Sequence, residues 1–302
     1  MAERNNGRER PSAVVRHRTT PYLYLLPALL VYGTFLLYPV ARTAQFSLFN
    51  WAGFGPSTFV GLDNYLSLLD DRRFIAAISH ALYLILFYAI LPLVVGLILA
   101  AILRRGQVRG MGFFRVLIFM PQVIALVVVA VAWRQIYTPN GTLNSLLGLI
   151  GIESDTGWLG EPNLALTAVG IIGFWLSTGL VMLLLLAGMN RIPNDLYEAS
   201  RLDGAGPVRE FFAITLPAVR AEITTALVLT IIAALKTFDL VYMTTAGGPG
   251  TATTVPAYEV YNRAFQLKQV GSASAVAIVL TLMVFLINVA VSRIGEERRL
   301  AR

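Results

Sequence analysis

Residues 164–189 read LALTAVGIIGFWLSTGLVMLLLLAGM. The run holds no charged residue, and at about 1.5 Å of helical rise per residue it is long enough to cross the roughly 30 Å hydrocarbon core of a bilayer. Five further segments have the same character: residues 22–46, 81–103, 116–137, 221–242 and 273–291. The chain is 56% hydrophobic and 14% charged, against about a quarter charged in soluble domains. This composition predicts an all-α polytopic membrane protein with six transmembrane helices. Residues 116–137 and 221–242 are each expected to form one continuous span. Lys236 and Asp239 fall near the end of the fifth span. A charge at the bilayer centre costs about 2.5–3.5 kcal/mol on insertion scales, so both belong at an interface or a water-filled cavity.

Arginine and lysine alternate across the segments. Arg4, Arg8, Arg10, Arg16 and Arg18 precede the first, Arg104, Arg105, Arg109 and Arg115 lie between the second and third, and Arg191, Arg201, Arg209 and Arg220 lie between the fourth and fifth. Arg293, Arg298, Arg299 and Arg302 follow the sixth, whereas the other three loops hold only Arg72, Arg73, Arg263 and Lys268. Basic residues accumulate on the cytoplasmic side of membrane proteins, which predicts a multi-pass cell-membrane protein with both termini in the cytoplasm. The basic stretch 1–20 then reads as a cytoplasmic tail, 21–294 as the transmembrane domain and 295–302 as a second tail. The first apolar run is not closed by a small-residue cleavage site, so it reads as a retained span and not a signal peptide.

The net charge of +7 sits at the ends of apolar runs and not on one face of a soluble domain, which argues against nucleic acid as a partner. There is no cysteine and only two histidines, His17 and His80, so a metal enzyme is not expected. Trp51, Trp133, Tyr137 and Trp158 lie near predicted membrane surfaces as an aromatic belt. Gln122 and Asn288 read as polar glue between helices.

The loop 190–217 is too long for a simple connector. Pro193-Asn194-Asp195 predicts a helix start, with Asn194 or Asp195 capping free N–H groups, and Gly204 supplies the stop. Gly206-Pro207 starts a second helix. On it, Val208, Phe211 and Phe212 share a face by i, i+3, i+4 spacing, and Leu216-Pro217 closes it. Local chemistry alone thus predicts an amphipathic helical hairpin that could rest on lipid headgroups or enter a groove on a partner.

Here the chain resembles a known family. Glu198-Ala199-Ser200, then Gly204, then Ile214-Thr215-Leu216-Pro217 match the "EAA" loop of binding-protein-dependent ABC importer permeases, with Ser200 in place of the second alanine. Phe59-Val60-Gly61-Leu62-Asp63-Asn64-Tyr65 and Thr245-Ala246-Gly247-Gly248-Pro249, with Ala252-Thr253, Tyr261 and Ala264-Phe265, are similar to loops of carbohydrate-importer permeases. The resemblance is to the first permease of maltose- or glycerol-3-phosphate-like systems. It departs from the family at His80-Ala81, where relatives often show Asn-Thr, and this bears on whether His80 meets substrate.

The resemblance implies a transport subunit without enzymatic activity and without a cofactor of its own. Its implied partners are a second permease, a homodimeric ATP-binding subunit that holds ATP and Mg, and an extracytoplasmic solute-binding protein. It also implies that the 198–217 loop receives work from the ATPase through Glu198, Ala199, Ser200, Asp203, Gly204, Ile214, Leu216 and Pro217. Sugars need aromatic platforms beside polar groups. The candidate path residues are therefore Trp175, Ser177 and Thr178 in the fourth span and Lys236, Phe238, Asp239 and Tyr242 in the fifth. Lys236 and Asp239 stand at i, i+3 and are expected to be able to pair. An ion-coupled secondary carrier is the alternative, but it would need coupling carboxylates inside the spans, and these runs have almost none.

Overall fold

The computed structural model describes residues 20–105 and 110–300. The basic tail expected at 1–20 lies outside these residues except for Thr20, as do Arg109, Arg302 and most of the loop between the second and third spans.

Four continuous helices are long and apolar enough to cross a membrane: Tyr24–Phe46, Arg72–Arg104, Pro162–Met189 and Val270–Arg293. Two bent pairs, Gly112–Val123 with Leu126–Ile136 and Pro207–Ala218 with Arg220–Leu235, bring the number to six. The described residues contain one sheet, a two-residue antiparallel hairpin pairing Phe49 with Phe59 and Asn50 with Thr58. The all-α expectation therefore holds.

Two expected spans are not continuous. The third bends by 98°. Pro121 opens a short 3₁₀ turn over Met120–Val123, and Ile124 and Ala125 take extended backbone, with ψ 136° and 131°. A proline supplies no N–H to the turn before it, so the ladder stops there. The fifth span ends at Leu235, before the expected boundary at 242, and a separate helix, Asp239–Thr244, resumes after Phe238 at φ −129°. The second span starts at Arg72, nine residues before the expected 81, because Asp71 caps it: its carboxylate accepts from the N–H groups of Arg73 at 2.9 Å and Phe74 at 3.3 Å.

Four π-helical turns interrupt the described helices: Gly33–Leu37, Leu86–Ile90, Phe211–Thr215 and Asn262–Gln266. The first three each end two residues before a proline, namely Pro39, Pro92 and Pro217. A proline cannot donate to the carbonyl four residues back and its ring clashes with it. A widened turn accommodates that defect without a break. The fourth turn has no following proline.

Helix Pro162–Met189 is the central element, with most of its middle buried, including Val169, Ile172, Val181, Met182 and Leu185. Its glycines let neighbours approach. A β-carbon on Gly173 would stand 2.0 Å from the ring of Tyr88, and one on Gly179 would stand 2.4 Å from the carbonyl oxygen of Ile118. Small residues serve close helix approach in membranes, where apolar burial drives little. The N-terminal part of Tyr24–Phe46, in contrast, lies outside the bundle with Tyr24, Leu29, Leu30 and Phe35 exposed, while Tyr38–Phe46 packs on the helix that starts at Val270.

At the face opposite the 190–217 loop, an ionic network bolts three elements together. Arg263 is buried and donates to Glu259 at 3.2 Å, to Ser272 at 2.8 Å and to Asp71. Glu259, also buried, receives Arg73 at 2.9 Å. Burial by itself would raise the Asp71 carboxyl. The hydrogen bond from Arg263, the two N–H groups of its own helix and the Arg263 charge outweigh this and hold it below its ordinary value.

Candidate functional site

Two arrangements could carry function: a cavity inside the bundle and the hairpin at one end.

The cavity, of about 490 Å³, lies where the two broken spans meet. Gln122, Ile124 and Leu126 contribute the break of the third span. Lys236, Thr237, Phe238 and Asp239 contribute that of the fifth, and Tyr88, Leu176 and Ser177 add to a lining whose remainder is mostly apolar. Non-helical backbone at membrane depth is tolerated where it is buried in protein or lines an aqueous cavity, so the two breaks and the cavity explain one another. The charges also suit their helices. Lys236 stands at the C-terminal end of Arg220–Leu235 and Asp239 in the first turn of Asp239–Thr244, each opposite in sign to the local end of the helix dipole.

The candidate path residues divide. Ser177, Lys236, Phe238 and Asp239 line the cavity. Thr178 does not; it is buried and donates to the Phe174 carbonyl of its own helix at 2.7 Å. Trp175 packs edge-on against Trp133 at 5.7 Å, away from the lining. Tyr242 sits one ring beyond the cavity, stacked on Phe238 at 5.3 Å. Lys236 and Asp239 form no ion pair with each other among those of the described residues, because the helix breaks between them and i, i+3 spacing no longer makes them neighbours. Tyr88 and Thr237 were not legible as lining residues, and Gln122 read only as helix glue. Pro121 inside an apolar run is the signal that could have marked the first break. His80 lies away from the cavity. Its Nδ1 is 2.8 Å from the Thr254 carbonyl, and with Ser79, Tyr83 and Thr167 it borders a separate cleft.

The hairpin forms as local chemistry predicts, with one correction. Its first helix is Asn194–Leu202, but the residue before it is Pro193 and no side chain caps the start; Asn194 and Asp195 are already inside the first turn. Gly204 takes φ +77°. The Gly204 N–H reaches the Arg201 carbonyl at 3.0 Å and the Ala205 N–H reaches the Ser200 carbonyl at 2.9 Å. That pair of bonds is a Schellman ending, for which glycine is the usual residue. Pro207–Glu210 then starts the second helix, which continues through the π-turn Phe211–Thr215 into Leu216–Ala218.

Several contacts seat the hairpin on the bundle. Tyr197 is buried, its hydroxyl 2.8 Å from that of Thr215, and the Arg104 guanidinium lies 4.2 Å over its ring. Arg104 also donates to the Ile192 carbonyl at 2.9 Å. Arg201 bridges the two hairpin helices to buried Glu210 at 2.9 Å. Glu198, Ala199 and Asp203 point outward, and neither Glu198 nor Asp203 has an ion-pair partner among the described residues. Ser200 donates back to the Tyr197 carbonyl at 2.9 Å, while Ile214, Leu216 and Pro217 are half-buried at the base. Leu202, Val208 and Phe212 are exposed at 90%, 71% and 62%. A rigidly seated hairpin thus presents the carboxylates of Glu198 and Asp203 amid uncovered apolar groups. Among the described residues no cluster of histidine, aspartate and glutamate could hold a metal.

The family model described as "Binding-protein-dependent transport system inner membrane component" matches residues 92–296. The chain is 38% identical over 295 residues to the probable ABC transporter permease protein YurN of Bacillus subtilis, covering 94% of this chain and 99% of that protein. It is 35% identical over 280 residues to the trehalose/maltose transport system permease protein MalF of Thermococcus litoralis, covering 92% and 94%. It is 34% identical over 303 residues to the diacetylchitobiose uptake system permease protein NgcF of Streptomyces coelicolor, covering 93% and 86%. Among solved structures, a chain of a bacterial alginate ABC transporter, in complex with an alginate pentasaccharide-bound periplasmic protein, superposes with a TM-score of 0.80. It is 22% identical, with 93% of this chain and 95% of that chain covered. At that identity the likeness speaks for the fold.

Proposed function

We infer the cargo and partners of this protein from one premise: the chain belongs to the binding-protein-dependent transport system inner membrane components, the permease subunits of ATP-driven importers. It is a multi-pass transport subunit and not an enzyme; hydrolysis of ATP is the work of a separate subunit. The cargo proposed here is a sugar or sugar-like solute. The observation that carries this is the cavity at the two helix breaks, where the Phe238 ring stands among the hydroxyls of Ser177 and Thr237, the amide of Gln122 and the charges of Lys236 and Asp239. A pyranose offers apolar ring faces and a rim of hydroxyls, and this lining offers both complements. The named relatives for trehalose/maltose and diacetylchitobiose support the same class.

The partners are a second permease that closes the other side of the path, a homodimeric ATP-binding subunit that holds ATP and Mg, and an extracytoplasmic solute-binding protein. The exposed hairpin with Glu198 is the surface for the ATP-binding subunit. Both termini face the cytoplasm, as the arginine distribution supports. The alternative of an ion-coupled carrier would rest on Asp239, the one carboxylate among the described residues lining the cavity, and the family match gives it no support.

The test is reconstitution into proteoliposomes. This chain with its second permease alone is expected to be inert, and ATP-dependent sugar uptake should appear once the ATPase and binding protein are added. Uptake driven by an ion gradient without ATPase would overturn the reading. For orientation, a reporter inserted after Gly204 should be cytoplasmic and one after Gly248 extracytoplasmic, as read by alkaline phosphatase and fluorescent-protein activity. The reverse pattern would invert the topology.

A further inference from the structure

From Phe238, at the cavity wall, a row of aromatic rings leads outward. Tyr242 stacks on that ring at 5.3 Å, Tyr261 meets Tyr242 edge-on at 5.1 Å, and Phe265 follows Tyr261 at 5.4 Å. The row runs from the cavity wall to the loop between the fifth and sixth spans. Its rings are not core: Tyr242 is 40% and Phe265 71% exposed. Its edges are polar, because the Tyr242 and Tyr261 hydroxyls lie 3.4 Å apart and Gln266 donates to the Tyr261 hydroxyl at 3.3 Å.

Two observations separate this row from a generic aromatic belt. Belt residues sit at headgroup depth as single anchors, whereas these rings touch one another in a row that begins at the cavity wall. The π-turn Asn262–Gln266 that carries Phe265 lacks the proline that accompanies the other three, so the backbone defect has no local cause. Such turns recur at functional positions. Here Arg263, within the turn, is tied to Asp71, Glu259 and Ser272, which makes the carrier of Phe265 rigid.

We propose that Phe238, Tyr242, Tyr261 and Phe265 form a stacking path along which a glycan of more than one sugar ring moves into the cavity. A series of adjoining faces suits successive rings of one chain, and the phenol hydroxyls and Gln266 meet the sugar hydroxyls at the edges. The proposal rests on the sugar-cargo reading above.

The test uses the complete transporter in proteoliposomes, with glucose, maltose, maltotriose and diacetylchitobiose as probes. Phe265→Ala removes an exposed ring, so the fold and the assembly with the ATPase should persist. ATP-driven uptake of whichever multi-ring probe is transported should fall about five- to tenfold, the scale of one lost aromatic contact, and Phe265→Trp should restore it. Tyr261→Phe keeps the face and should lose less than Tyr261→Ala. Three results overturn the path while leaving the sugar reading standing: unchanged uptake in Phe265→Ala, loss of the second permease on purification of that variant, or transport of glucose alone by the wild type. Uptake of no probe by the wild type would remove the sugar reading and this path with it.

Discussion

Replacing Glu198 by lysine should abolish ATP-driven uptake while leaving insertion, abundance and the hairpin itself intact. The hairpin does not depend on Glu198. It is held by the Tyr197–Thr215 hydroxyl contact, by Arg104 over the Tyr197 ring, by the Arg201–Glu210 bridge and by the Gly204 turn. Glu198 itself is exposed and without an ion-pair partner among the described residues, so its loss leaves no group in this chain unsatisfied. On a docking surface the consequence is different. Breaking one partner of a desolvated interfacial pair costs about 2–5 kcal/mol, and a lysine adds repulsion against a basic partner. Uptake should fall by at least about thirtyfold, since 1.4 kcal/mol is one decade. ATP hydrolysis by the assembled complex should lose its stimulation by binding protein. Glu198→Gln should fall between wild type and lysine. Parallel measurement of sugar uptake and phosphate release decides the matter, and wild-type uptake by the lysine variant would remove Glu198 from the coupling surface.

The second large effect is expected at Gly179. A β-carbon there would lie 2.4 Å from the Ile118 carbonyl oxygen and 2.8 Å from the Phe119 α-carbon. Both are backbone atoms, so no rotamer change relieves the clash; the inner half of the third span must move away from the central helix. Overpacking of a filled interior costs about 1–3 kcal/mol. Backbone contact places Gly179→Ala at the upper end, with the displaced element carrying Gln122 and hence one wall of the cavity. Thermal unfolding of the detergent-solubilised complex should occur at lower temperature, and transport should fall with it. Gly148→Ala is the matched control, because nothing lies within 4 Å of a β-carbon at that helical position, and alanine is the better helix former. Equal stability of the two variants would mean that the third and fourth spans do not pack this closely.

The boundary between what was legible and what was not follows from the range of the forces involved. Crossing a bilayer depends on the summed transfer energy of some twenty neighbouring residues, so six apolar runs sufficed to predict six crossings. The 190–217 hairpin was equally readable, since Gly204 and Gly206-Pro207 act through their own backbone angles. The one local misreading, capping by Asn194 or Asp195, arose because Pro193 itself precedes the first turn and the helix begins one residue earlier than the cap requires.

Hydropathy averaged over a window cannot register a 98° bend within it, so the third span read as straight despite Pro121. Which polar groups face one another is a matter of packing. Ser177 lines the cavity while Thr178, its neighbour, bonds its own helix, and Lys236 and Asp239 are parted by a break that their i, i+3 spacing concealed. Arg263 reaches Asp71 across 192 positions of sequence. Composition and local pattern alone therefore determined a six-span membrane protein with an amphipathic hairpin, and the Glu198–Pro217 spacing added the family resemblance. Only the tertiary structure decided where two broken helices meet, because a cavity belongs to contacts between distant segments and no single segment encodes it.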